Sequence, residues 1–141
     1  MRRREHDYVA LSRFAMEVFS IAYKDLNIAV EDHVAFMIDY NLPCNGSTAW
    51  DSANKRVCYI ALSPYFKAME VAETIFHECR HLHQGLRKPE LLDNTGNADS
   101  LNSFEAYYNQ PTEVIARMYA DMSIEKYKRQ IKQLIKKYKL R

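Results

Sequence analysis

The residues best suited to chemistry lie in one short segment. Three of the five histidines, His77, His81 and His83, fall within seven positions, and His77, Glu78 and His81 form the motif HExxH. Residues four apart lie on the same face of a helix, so two imidazoles at this spacing can bind one zinc ion. The glutamate beside the first histidine can then act as general base on a zinc-bound water. The motif predicts metal-assisted hydrolysis, and the alternative is a solvated histidine pair that arose by chance.

A catalytic zinc site needs a third protein ligand, which the motif does not supply. The longer motif HExxHxxGxxH is absent, because Gln84 stands in place of its glycine and Arg87 in place of its third histidine. His83 lies about 200° around the helix from His81, so it cannot reach the same ion. We expect His83 to be a boundary or surface residue and the third ligand to come from downstream.

Glu113 is the best downstream candidate. It stands two residues after Pro111, which favours the first turn of a helix. Ala116 and Ala120 share its helical face and would let this helix pack closely against the motif. The simpler interpretation is that Glu113 only complements the helix dipole. The acids that remain as alternative ligands are Asp93, Asp99 and Glu105.

Three further side chains are candidates for contacting the reacting carbonyl. Arg117, one turn after Glu113, could orient that carboxylate or stabilise an oxyanion. Tyr107 and Tyr108 precede the helix and could donate to the oxyanion, although neighbouring tyrosines are often packing residues. We therefore predict Glu78, Tyr107, Tyr108 and Arg117 as the catalytic group.

Periodicity places these residues on particular elements. Apolar residues three and four apart predict a helix from residue 7 to about 24, and residues 33 to 40 have the composition of a buried strand. A second helix should begin at Ser63-Pro64, run to about Gln84 and end at Gly85. A third should begin at Pro111 and continue or restart toward the C-terminus. Residues 47 to 50 and 56 to 62 should form a hairpin.

These elements predict an α+β fold in which a small mixed sheet packs on the HExxH helix and further helices lie across the cleft. With 141 residues the chain has the length of one domain. We assign residues 1 to 123 to the main domain and residues 124 to 141 to a basic amphipathic C-terminal helix packed on it.

Composition excludes several classes of function. The three glycines are too far apart for a phosphate-binding loop, and the three cysteines have no CxxC spacing. No apolar run is long enough for a membrane span, and charged residues interrupt any signal peptide. We expect a cytoplasmic protein with reduced thiols.

The charge is unevenly distributed. The net charge of +2 divides into +7 for residues 124 to 141 and −5 for the rest. A basic amphipathic helix can bind nucleic acid, an acidic partner or an anionic membrane surface, and its apolar stripe makes self-association conceivable. The other interpretation is a solvated helix packed on the acidic remainder of its own domain.

His77-Glu78-x-x-His81 with an acid in a later helix resembles the zincin metallopeptidases of the gluzincin arrangement. The run from residue 57 through the motif to Glu113-Val114-Ile115-Ala116 is similar to the small ImmA/IrrE-like and minimal zincin domains. The resemblance covers roughly residues 57 to 121 and depends mainly on HExxH. It implies a zinc-dependent peptidase with a protein or peptide substrate, which would pair with an edge strand at residues 57 to 62. The alternative is an inactive zincin scaffold that engages nucleic acid or an acidic protein through its basic helix.

Overall fold

The computed structural model describes residues 5–29, 34–50, 58–87 and 109–141. Within these ranges the protein is α+β, with three helices and a mixed sheet of three strands, which confirms the predicted class. The elements in chain order are α1 (Tyr8–Leu26), β1 (Val34–Ile38), β2 (Gly46–Trp50), β3 (Cys58–Leu62), α2 (Ala68–Arg87) and α3 (Pro111–Lys137).

Helix α1 has a clear beginning and end. The carboxylate of Asp7 accepts a hydrogen bond from the Ala10 backbone N–H (2.9 Å), which satisfies one of the unpaired donors of the first turn. Asn27 adopts a left-handed conformation (φ 55°) that closes the last turn. The apolar face between these caps is buried, as the sequence periodicity predicted.

The sheet has the strand order β1-β3-β2. Strand β2 is antiparallel to β3, which confirms the predicted hairpin, whereas β1 is parallel to β3. The expectation that residues 57 to 62 form an edge strand is wrong, because β1 adds to the open side of β3 and makes it central. Strand β1, predicted to be buried, is an edge strand in which alternate residues are exposed. The edge beside the HExxH helix is therefore β2.

The second helix begins later than predicted. The backbone N–H of Ser63 donates to the Asn45 carbonyl (2.9 Å), so Ser63 prolongs the β2–β3 pairing, and a turn at residues 64 to 66 separates it from the helix. Helix α2 instead begins at Ala68, whose N–H donates to the carbonyl of Arg141 (2.7 Å). The helix also continues through Gly85, which is buried within it, contrary to the expected end there.

Helix α2 lies at the centre of the fold. It contacts α1, β2 and β3 on one side and α3 on the other. The predicted stripe is buried, with Leu86 only half-buried at its end, and its fully buried members are Ala68, Ala72, Ile75, Cys79 and Leu82. This arrangement leaves one face of α2 available to meet α3.

Helix α3 is continuous over 27 residues, so the basic segment up to residue 137 belongs to the same helix as Glu113. Ala116 and Ala120 are buried, in agreement with the close packing expected from them. Two acids of α1 neutralise part of the basic segment: Asp25 contacts Lys126 (3.1 Å), and Glu17 contacts Lys137 (3.3 Å). Two of the lysines in the basic segment therefore have their charge balanced by acidic residues of the same domain.

None of the helices in the described ranges combines the length and the apolar character that crossing a bilayer requires.

Candidate metal centre

His77, His81 and Glu113 meet at the contact between α2 and α3. The two carboxylate oxygens of Glu113 divide between the histidines: Oε2 lies 3.0 Å from Nε2 of His77, and Oε1 lies 2.9 Å from Nε2 of His81. The two Nε2 atoms are 3.2 Å apart. Within the described residues these three side chains form a group that could hold a metal ion.

The local sequence explains this convergence. The spacing of His77 and His81 places their rings one turn apart, with centroids 4.9 Å from each other. Pro111 begins α3, so Glu113 lies in the first turn, where backbone N–H groups and the helix dipole favour a carboxylate. Buried Ala116, one turn further along, lets this end of α3 approach α2.

The size and chemistry of the group fit a small divalent cation. Zinc bonds to imidazole nitrogen and carboxylate oxygen measure about 2.0 to 2.2 Å, so tetrahedral ligand atoms lie about 3.3 Å apart. The two Nε2 atoms, 3.2 Å apart, are close to that value, and one ligand atom from each of the three residues lies within 4.8 Å of the others. Two imidazoles and one carboxylate are also a ligand set typical of catalytic zinc, which leaves a fourth position open.

Electrostatics favour a cation at this position. Burial acts to raise the pKa of Glu113, but hydrogen bonds from His77 and His81 outweigh it and hold the pKa well below its ordinary value. Burial acts to lower the pKa of His81, but Glu113 and the charge of Glu78 raise it overall. Glu113 is therefore an ionised carboxylate at neutral pH, as a metal ligand must be.

Gln84 connects the two ligand helices, and sequence reasoning missed its role. Its Oε1 lies 3.0 Å from Nδ1 of His81, and its Nε2 donates to the carbonyl of Thr112 (3.1 Å). With a metal ion bound, an acceptor at Nδ1 would favour the tautomer that carries its proton on Nδ1 and leaves the Nε2 lone pair for the ion. The spacing in the sequence could have indicated this contact, because Gln84 follows His81 by three residues and so lies on the same side of α2.

Glu78 faces the sheet side of the group. It is buried, and one carboxylate oxygen accepts a short hydrogen bond from the hydroxyl of Thr48 on β2. Gly46 makes the close approach of β2 to α2 possible, because a Cβ there would lie 2.5 Å from Cγ2 of Thr74. The hydroxyl of Thr48 thereby orients the carboxylate of Glu78.

The remaining residues predicted for the site are one arginine on α3 and five residues between positions 93 and 108. Arg117 is half-buried one turn after Glu113, and its assigned role stays a prediction. Tyr107, Tyr108 and the alternative ligands Asp93, Asp99 and Glu105 lie outside the described residues.

Two side chains close to the motif have other surroundings. His83 lies outside the three-residue group, and its Nδ1 is 3.0 Å from Nη1 of Arg80. Cys79 is fully buried in the core, and burial is the main cause that raises the pKa of its thiol well above the ordinary value. A thiol in these surroundings is unreactive.

Comparison with known proteins gives no match to a protein-family model, to a curated protein or to a solved structure. The interpretation of the site therefore rests on its geometry and chemistry.

Proposed function

We propose that the chain is a zinc-dependent metallopeptidase of the zincin type. In this proposal His77, His81 and Glu113 hold the zinc ion and Glu78 is the general base. The observation that carries it is the convergence of three ligand atoms within 4.8 Å of one another, with the HExxH glutamate buried beside them. A structural site has no need of a base at that position, which favours hydrolysis over a purely structural metal.

Each residue has a definite task in peptide hydrolysis. When bound, zinc polarises the scissile carbonyl and brings the pKa of a coordinated water to about 7. Glu78 accepts a proton from the attacking water on the oxygen that does not bind Thr48, and delivers it to the leaving amide nitrogen. Thr48 holds the other oxygen and so fixes the direction of the carboxylate. Gln84 keeps the imidazole of His81 in the tautomer required for binding.

The substrate is an extended peptide that pairs with β2. This strand bonds to β3 on one side, and in the described sheet its other side has no strand. Thr48, in the middle of β2, contacts Glu78, so a peptide laid along this edge passes the general base. Addition of a strand binds backbone groups and needs little sequence specificity. The resemblance implied residues 57 to 62 for this task; because β3 is the central strand of the described sheet, we assign it to β2 in this proposal.

Proteolysis by the full chain tests the proposal. Zinc-loaded protein is incubated with fluorescently labelled casein and with a mixed decapeptide library read by mass spectrometry. We expect cleavage by the wild type, and loss of at least about 1,000-fold of the rate in Glu78→Gln, because the general base is removed. The variant should bind zinc as the wild type does, since Glu78 is not a ligand.

The outcomes separate the two functions considered from the sequence. Equal cleavage by wild type and Glu78→Gln would contradict the assignment of the base and point to a contaminating protease. If both proteins bind zinc but neither cuts casein nor any library peptide, the peptidase proposal is wrong and a binding protein on the same scaffold replaces it.

A further inference from the structure

Helix α3 carries a line of exposed residues, here called the outer seam, on the side that faces away from the rest of the described structure. Its apolar part consists of Ile115, Met118 and Met122, whose exposed fractions are 44, 59 and 70%. Glu125 follows Met122 by three residues. The seam then continues with three exposed cations, Arg129, Lys132 and Lys136. Successive members are three and four residues apart, so the seam follows one side of the helix.

This outer seam lies opposite the packed side of α3. The buried residues of the helix include Ala116, Ala120 and Ile131, which face α2 and the core. At 100° per residue the seam is centred about 180° away from them. The described parts of the fold therefore do not use it for packing.

The apolar half is unusual for a surface helix. Single exposed apolar residues are common, but three in consecutive turns form a contiguous patch of the kind that marks interaction sites. Two of the three are methionines, whose flexible side chains adapt to a partner's shape.

The three cations of the outer seam differ from two other lysines of α3 in their ion pairing. Lys126 and Lys137 are paired with Asp25 and Glu17 of α1. For Arg129, Lys132 and Lys136 no ion pair is recorded within the part of the chain that the structure describes. These three cations lie with Glu125, Lys126 and Lys128 on a shallow, open surface along the outer side of α3. Their charge is thus available for an external partner.

We propose that the outer seam of α3 is a docking surface for an amphipathic helix of a protein partner. The partner places apolar side chains against Ile115, Met118 and Met122 and acidic side chains against Arg129, Lys132 and Lys136. The alternating spacing of three and four is that of two helices packed side by side. The seam runs roughly 32 Å, enough for five to six turns of a partner helix.

The distribution of residues favours this partner over other anionic surfaces. Nucleic acid would use the cations and leave the exposed methionines unexplained. A helix that lies on a membrane has its apolar and basic residues on opposite sides, whereas here the two groups follow one another along a single side. A second copy of the chain in parallel would set like charges against each other. The proposal concerns a surface separate from the metal ligands, so it does not depend on peptidase activity.

Binding of designed helical peptides to the full chain tests the proposal. The probe is a fluorescent 24-residue peptide of Ala and Gln with Leu at three successive seam positions and Glu at the next three. Two matched peptides replace the three Glu by Lys or the three Leu by Ser. By fluorescence anisotropy we expect micromolar binding of the first peptide and at least about tenfold weaker binding of each of the other two.

Variants of exposed residues make the test specific. Arg129→Glu/Lys132→Glu/Lys136→Glu should lose the acidic peptide and gain the lysine peptide, because the charges are exchanged. Met118→Ser/Met122→Ser should weaken binding of the acidic peptide at low and at high salt, since its effect is apolar. Circular dichroism should be unchanged in both, because the replaced side chains point into solvent.

Three results would overturn the proposal. Absence of binding by any peptide excludes a helical partner on this seam. Equal binding of the acidic peptides with Leu and with Ser shows that only charge matters. Tighter binding of a 20-base-pair DNA duplex or of vesicles containing phosphatidylserine, with displacement of the peptide, assigns the seam to nucleic acid or membrane instead.

Discussion

Nδ1 of His81 lies 3.0 Å from Oε1 of Gln84, and this contact determines which ring nitrogen faces Glu113. The amide of Gln84 also donates to the carbonyl of Thr112, immediately before Glu113 on α3. One side chain thus orients a histidine on α2 and fixes the position of the turn that carries the third ligand. Residues that hydrogen-bond to a metal ligand commonly change metal affinity by about 10- to 100-fold when they are replaced.

Replacement of Gln84 by Leu should weaken zinc binding by about 10- to 100-fold, because it removes the acceptor for Nδ1 and the bond to α3. Isothermal titration with zinc against a competing chelator measures the change. Gln84→Glu keeps the acceptor and should bind more tightly than Gln84→Leu. His83→Ala serves as control, since His83 contacts Arg80 rather than the ligand group. Equal affinity in all four proteins would show that Gln84 does not support the site.

Replacement of Glu113 by Gln should weaken zinc binding by at least about 100-fold, because a neutral amide replaces the ionised carboxylate. Glu125→Gln is the matched control, since this acid is exposed on the same helix and pairs only distantly with Lys128 (4.0 Å). Both variants should have the helical content of the wild type. Unchanged zinc affinity in Glu113→Gln would move the third ligand to another residue, such as Asp99 or Glu105.

Replacement of Gly46 by Ala should lower the free energy of unfolding by about 1 to 3 kcal/mol, because the added methyl group overpacks the contact between β2 and α2. It would lie 2.5 Å from Cγ2 of Thr74 and 3.0 Å from the carbonyl oxygen of Ala61. Chemical denaturation measures the effect, with Ser47→Ala at an exposed neighbouring position as control. A Gly46→Ala protein as stable as the wild type would mean that β2 is not tightly held against α2.

Asp25 provides a prediction of pH dependence away from the ligands. Burial acts to raise its pKa, but hydrogen bonds from Tyr127, Tyr119 and Lys126 outweigh burial and lower the pKa overall. A depressed pKa in the folded state stabilises the protein above the unfolded value of about 3.9. That contribution is lost as the pH falls through the folded value.

The variant Asp25→Asn should therefore be less stable than the wild type by about 1 to 3 kcal/mol at pH 7, and the difference should shrink as the pH falls below about 4. Urea denaturation at several pH values measures it. Glu17→Gln removes a similar but more exposed contact with Lys137 and Tyr138 and should cost less. A difference that stays constant with pH would show that the Asp25 carboxylate is not the source of the stabilisation.

The sequence was most informative where one local pattern determines the structure. Helical spacing identified the buried stripe of α2, and Pro111 identified the start of α3, because both depend on near neighbours in the chain. The order of the strands was not predictable in this way: whether β3 is central depends on β1, which is distant in sequence. Likewise, Ser63-Pro64 has the local form of a helix start, but pairing of Ser63 with Asn45 prevails.

The same distinction applies to the candidate site. His77, Glu78 and His81 follow from a single motif, and the structure brings Glu113 to them through packing of α2 on α3. The supporting contacts of Thr48 and Gln84 escaped prediction because polar side chains of these types occur throughout soluble proteins. Their importance is visible only when the distances to Glu78 and His81 are known.

The most direct test of the central claim is a crystal structure of the full chain grown with zinc, with anomalous data collected on both sides of the zinc absorption edge. We predict one strong anomalous peak per chain, about 2.0 to 2.2 Å from Nε2 of His77, Nε2 of His81 and a carboxylate oxygen of Glu113. Absence of a peak at these three residues, or a peak coordinated by other side chains, would contradict the proposed metal centre.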